Sequence, residues 1–130
     1  MELGRCWEFE GPTGHIAIEL PEVVTITDAS VAYIPAPLLS QVAVGRAPRR
    51  VTMWGLADNT TAQHFTESHA PFVKLGGFVF DIDSSHHQFF AMDPDSATIQ
   101  TSLVIFEVNN NHGSSTTCLY YLGVYGIEVS

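Results

Sequence analysis

The chain has 130 residues, 45% hydrophobic and 15% charged, with 14 acidic side chains against 5 basic ones and a formal net charge of -9. That length suits one domain burying roughly two-thirds of the surface its unfolded chain exposes, and so little charge argues against a disordered acidic tail or a coiled coil. The acidic balance argues against phosphate-driven binding to nucleic acid and docking on anionic lipid, and no run of about 18 apolar residues is present to span a bilayer as a helix.

Met1 to Arg5 lack a signal-peptide pattern and read as a cut-in start, so any anchor is expected outside this chain. The pattern that follows has period 2. His15 to Leu20 alternates, with Ile16, Ile18 and Leu20 on one face, and Pro21 is expected to end the strand. Val23 to Ile26 and Ser30 to Ile34 are β-branched segments on either side of Thr27-Asp28, read as a turn. Arg50 to Gly55 alternates polar and apolar residues. Phe72 to Asp81 is interrupted by Gly76-Gly77, a bulge or a tight hairpin. Gln88 to Met92 is closed by Asp93-Pro94, Ser102 to Val108 is apolar apart from Glu107, and Leu119 to Val129 reads as the last strand. No window carries an amphipathic helix. Seven or eight short strands with turn signals between them indicate an all-β fold, an antiparallel β-sandwich or jelly roll, in a single domain over residues 1–130.

The side chains offer little catalytic chemistry. Cys6 and Cys118 sit near opposite ends in apolar, aromatic settings; they are either two buried thiols or one disulfide closing nearly the whole domain in an oxidising compartment. Asn59-Thr60-Thr61 is a glycosylation sequon that fits such a compartment. Adjacent His86 and His87 point to opposite faces of a strand, and His15, His64, His69 and His112 are dispersed, so the histidines read as solvated or turn residues. Asp81-Ile82-Asp83 places two acids on one face, with too few oxygen ligands for a calcium cage. There is no G-x-S-x-G elbow, and Gly76-Gly77 lacks the Lys and helix of a phosphate loop. Nothing supports an enzyme. Three of the five basic residues fall in Gly45-Arg46-Ala47-Pro48-Arg49-Arg50, an electropositive spot beside the long Pro35–Pro48 stretch. It is either a solvated strand entry or a dock for a carboxylate such as a chain terminus.

Asn109-Asn110-Asn111-His112-Gly113 through Thr117-Cys118-Leu119-Tyr120 to Val124-Tyr125-Gly126 resembles the signature of SUN domains, where an Asn-x-Gly turn leads into a Thr-Cys-Leu-Tyr strand and a Val-x-Gly. Cys6-Trp7-Glu8-Phe9-Glu10-Gly11-Pro12-Thr13-Gly14 is similar to the family's Cys-Trp-x-Phe-x-Gly-x-x-Gly opening. Between them, Val31 to Pro35, Ala47 to Val51, Trp54-Gly55 and Leu75 to Asp81 match further family segments in order. The resemblance implies a galactose-binding-like sandwich, a Cys6–Cys118 disulfide and a place in the perinuclear space within an inner-nuclear-membrane protein. It also implies homotrimers in the full-length parent that capture the C-terminal peptides of KASH proteins, forming the LINC bridge between nucleus and cytoskeleton.

The family's peptide pocket uses a His, a Ser and two Tyr, and these positions read Tyr33, Arg46, Thr116 and Tyr120 here. Only Tyr120 is kept, and Arg46 offers charge-assisted bonds in place of a Ser hydroxyl. No cofactor is called for. The family's monovalent-cation loop lies just before Cys6, with only Glu2 to Arg5 inside this chain, and the lid and trimerising coiled coil lie further upstream. The expectation is a largely monomeric fragment that binds KASH-type peptides weakly, with Trp7 and Phe9 packed beside the disulfide. A second function class rests on the same sandwich, a carbohydrate-binding or ER-luminal quality-control module.

Overall fold

A computed structural model of the chain describes residues 6–34, 44–57 and 72–128. Asn59, His64, His69, Glu2 to Arg5 and most of the Pro35–Pro48 stretch lie outside the described residues. Among the described residues there are eight strands: β1 (Trp7–Glu10), β2 (Gly14–Ala32), β3 (Arg50–Leu56), β4 (Phe72–Val79), β5 (His87–Ala91), β6 (Thr101–Val108), β7 (Thr116–Leu119) and β8 (Tyr121–Glu128). A short 3-10 helix, Pro94–Thr98, follows Asp93, with proline at its first position, where a missing N–H costs nothing.

Among the described residues all strand pairings are antiparallel. Six strands form one sheet in the order β4-β3-β6-β2-β5, with β8 also paired to β2, and β1 and β7 form a separate two-stranded ladder. The 19-residue β2 organises both halves of the sandwich. Its first part, Gly14 to Glu19, pairs with β6, and its last part, Asp28 to Ala32, pairs with both β5 and β8. Ile26 and Ala29 of β2 then meet Val51, Met53, Leu75, Val104, Phe106, Val108 and Leu119 in the main core, which closes the sandwich.

Two expected breaks in β2 are absent. Pro21 lies in the stretch between Glu19 and Val24 where the β2–β6 register shifts, so its missing N–H removes no ladder bond. Thr27 is a bulge, the register to β8 shifting between Ile26 and Asp28 while its carbonyl accepts the Met92 amide at 2.9 Å. The expected last strand is in fact two, interrupted at Tyr120, because β7 joins the β1 ladder and β8 the main sheet. Of the two readings of Gly76-Gly77, the bulge holds: the β3–β4 register shifts between Met53 and Trp54, and β4 runs on unbroken. The alternation of Ile16, Ile18 and Leu20 also holds, with all three packed against the main core.

A second apolar cluster gathers Val31, Tyr33, Ala47, Phe80 and Cys118, with Cys6, Tyr120 and Leu122 against it. This cluster lies under the site described next.

Candidate functional site

The site is framed by the loop from Asn109 to Ser115, whose turn is shaped chiefly by the side chain of Asn111. Asn111, 8% exposed, accepts the amides of Gly113 (2.9 Å) and Ser114 (3.1 Å) on Oδ1. Its Nδ2 faces the carbonyls of Ser114 (2.9 Å) and Thr116 (3.0 Å) and the hydroxyl of Thr117 (3.0 Å). Gly113 has φ of +119°, a conformation that excludes ordinary side chains and explains the glycine two positions after the asparagine. The loop embraces the basic segment. The His112 amide donates to the Ala47 carbonyl (3.1 Å), the Ser114 amide to Gly45 (3.2 Å) and the Arg49 amide to Asn110 (2.9 Å).

β7 leaves this loop and pairs with β1 in the register Trp7–Leu119, Glu8–Cys118, Phe9–Thr117 and Glu10–Thr116. Directly opposed residues share a face. Glu8, Glu10, Thr116 and Cys118 therefore lie on one side, and Trp7, Phe9, Thr117 and Leu119 on the other. Cys6 is bonded to Cys118, with Cα atoms 5.5 Å apart across a sequence separation of 112, so the disulfide pins the start of β1 to β7. Thr117 fastens the ladder a second time, donating its hydroxyl to the Gly11 carbonyl at 2.9 Å.

Tyr33, Arg46, Thr116 and Tyr120 come together as two pairs flanking Cys118. The buried ring of Tyr33 meets Tyr120 edge-on with centroids 5.1 Å apart, and Phe80 at 6.4 Å. Burial, reinforced by the neighbouring Tyr120 phenol, pushes the Tyr33 hydroxyl far above its usual range, so it stays neutral. Arg46 accepts the Cys118 amide on its carbonyl (2.8 Å) and donates from Nε to the Thr116 hydroxyl (3.2 Å). Its guanidinium also forms an ion pair with Glu8, the two side chains being 30% and 47% exposed.

Glu8 is the residue that sequence reasoning missed. No local signal marks it, because its place depends on the β1–β7 register that sets Glu8 opposite Cys118. The electropositive spot is accordingly part-neutralised at Arg46, while Arg49 and Arg50 remain exposed.

Trp7 departs from expectation. Phe9 packs on the main core, but Trp7 is 46% exposed. It stacks obliquely on Phe9 at 5.1 Å and lines an open apolar cleft of about 240 Å³ with Ile16, Ile18, Tyr120 and Leu122. Trp7 and Leu119 form the end pair of the ladder, and among the described residues β1 pairs with no strand but β7. Tyr120 thus touches Tyr33 on one side and this cleft on the other.

The remaining candidates lie elsewhere. Asp81 accepts the amide of Asp83 at 3.0 Å in a local turn. His112 places Nε2 at 3.1 Å from the Phe80 carbonyl, and His87 stacks on Phe89. Among the described residues no three His, Cys, Asp or Glu side chains gather as metal ligands would.

A family model described as Sad1 / UNC-like C-terminal matches residues 1–128. The mouse sperm-associated antigen 4 protein is 30% identical over 128 residues, which are 98% of this chain and 27% of that protein. The Klaroid protein of Drosophila melanogaster is 30% identical over 124 residues, 95% of this chain and 12% of that protein. The nuclear migration and anchoring protein unc-84 of Caenorhabditis elegans is 28% identical over 125 residues, 95% of this chain and 10% of that protein. The chain therefore spans 27% or less of the length of these relatives. Among solved structures, an F5/8 type C domain from Bacteroides fragilis superimposes with a TM-score of 0.67 at 15% identity, covering 98% of this chain and 77% of that one. The family 32 carbohydrate-binding module of Streptococcus pneumoniae EndoD superimposes with a TM-score of 0.63 at 12% identity, covering 93% and 75%. These two likenesses establish the galactose-binding-like fold.

Proposed function

This chain belongs to the Sad1/UNC-like C-terminal family, the SUN domains, and on that premise we propose that it is a non-enzymatic peptide-binding adaptor. It captures the C-terminus of a KASH-type protein in the perinuclear space, as a sandwich domain of a trimeric nuclear-envelope protein. The observation that carries this reading is the gathering of Tyr33, Arg46, Thr116 and Tyr120 around Cys118, with the Arg46 guanidinium on the Thr116 face of the ladder. A guanidinium is the side chain best shaped to receive a terminal carboxylate. The carbohydrate-binding alternative has no comparable support, since the solved modules share only the fold at 12–15% identity.

Calorimetry with a synthetic KASH-type C-terminal peptide tests the proposal. Binding should fall with salt and be lost in Arg46→Ala and in Tyr120→Ala. Sub-micromolar affinity unchanged by Arg46→Ala would show that the pocket lies elsewhere.

A further inference from the structure

Glu8 sits where a ligand's carboxylate would have to go. The Arg46 guanidinium already holds one carboxylate, that of Glu8, and one hydroxyl, that of Thr116. Glu8 is not free to drift from this position, because the disulfide anchors Cys6 two residues before it and the ladder holds its backbone opposite Cys118. A tethered carboxylate competes at high effective concentration. We infer that Glu8 is a specificity-determining residue, a resident competitor for Arg46 that makes the site select C-terminal peptides carrying a basic side chain next to the terminal carboxylate. This rests on the peptide-capture reading above.

The selection follows from charge balance. A peptide that ends in a carboxylate and is otherwise neutral displaces Glu8 from Arg46 and leaves that carboxylate unpaired. The displaced group then faces Glu10, which lies on the same side of β1, so the gain at Arg46 is largely offset. A peptide with Lys or Arg before its last residue offers the displaced Glu8 a new partner, and one internal pair becomes two intermolecular ones. The net charge of -9 works in the same direction. Arg46 and Glu8 are 30% and 47% exposed, which makes the exchange accessible and keeps its size to that of a half-solvated pair.

The test is an NMR titration of the whole chain, following the Arg46 Nε–Hε signal, which reads millimolar binding. The probes are N-acetylated tetrapeptides ending Lys-Leu or Leu-Leu, each as free acid and as C-terminal amide. Wild type should bind the Lys-Leu acid roughly three- to fivefold tighter than the Leu-Leu acid, the range a part-exposed ion pair supports. Glu8→Gln should bind the Leu-Leu acid tighter by a similar factor and lose the preference for lysine. Glu10→Gln, which removes only the repulsion on the displaced Glu8, should weaken that preference without abolishing it. If Glu8→Gln binds the neutral acid no tighter while acids still outbind amides, Glu8 is merely structural and the inference is overturned. If acids and amides behave alike in both wild type and Glu8→Gln, it is the carboxylate site at Arg46 that fails.

Discussion

Replacing Asn111 should damage both the fold and the site. Its side chain is engaged at five backbone and side-chain positions between Gly113 and Thr117. At roughly 1 kcal/mol net for each bond the ceiling is about 5 kcal/mol. Two Nδ2 hydrogens cannot serve three acceptors at full strength, and the exposed Gly113 amide is rehydrated once freed, so Asn111→Ala should cost about 3 kcal/mol. Asn111→Asp is the sharper test. It keeps the shape and the two accepted bonds, yet turns a second oxygen toward the Ser114 and Thr116 carbonyls in place of the donating amide. An acceptor held against acceptors is worse than an empty space that water can enter, so the isosteric variant should be at least as unstable as the truncation. Urea unfolding of oxidised protein, followed by circular dichroism, measures both. A loss below about 1 kcal/mol for Asn111→Ala, or an Asn111→Asp protein clearly more stable than it, would refute the account of this loop.

Three further outcomes follow from single contacts. Replacing both Cys6 and Cys118 by Ala should cost about 4 kcal/mol on the loop-entropy model, given a separation of 112 residues; a difference below about 1 kcal/mol in urea melts would contradict it. Gly126→Ala should lose about 2 kcal/mol, because its Cβ would stand 2.6 Å from the Thr25 carbonyl oxygen, while Gly77→Ala, whose nearest neighbour is at 3.6 Å, should stay within about 0.5 kcal/mol of wild type. Glu22 shares a hydrogen bond with Glu128 and is repelled by its charge, which raises the Glu22 carboxyl above its ordinary 4.5. A carboxyl raised in the folded state stabilises when protonated and loses that contribution as pH rises through its folded value. Glu22→Gln should therefore stabilise at neutral pH and low salt and have little effect in acid; thermal melts at pH 7 showing destabilisation would reverse the assignment.

Strand content was legible wherever one face is buried. Ile16, Ile18 and Leu20 alternate because β2 covers the main core there, and Val51 and Met53 alternate for the same reason in β3. Legibility failed where tertiary pairing overrides a local breaker. Pro21 and Thr27-Asp28 are stop signals in isolation, but the shifts in register beside them absorb the irregularity, and one strand of 19 residues runs through both. The split at Tyr120 was equally hidden. Leu119 to Val129 is a single β-rich run in sequence, and only the competition between β1 and β2 for partners divides it.

The site shows the same division between what is local and what is paired at a distance. Thr116, Cys118 and Tyr120 could be singled out only through the resemblance of the Thr117-Cys118-Leu119-Tyr120 stretch to the family motif. Trp7 was misjudged by the rule that an aromatic beside a cysteine packs. Its neighbour Phe9, on the same face, does pack on the main core, whereas Trp7 sits at the end of the ladder and stays half in solvent. Glu8 carried no local mark as a site residue, since a lone acid in an amphipathic strand is ordinary. Its meaning depends on the register that sets it opposite Cys118 and on Arg46 reaching the same face from a segment 38 positions later, held there by the Cys118 amide on the Arg46 carbonyl. The substitution of Arg at this position and the acid at position 8 therefore belong together. An unpaired guanidinium beside an apolar cluster would bear a desolvation cost that a Ser would not, and Glu8 offsets it in the free protein. On the peptide-capture proposal, the affinity of Arg46 for a ligand's carboxylate is the difference between that pairing and the one with Glu8 rather than the strength of either.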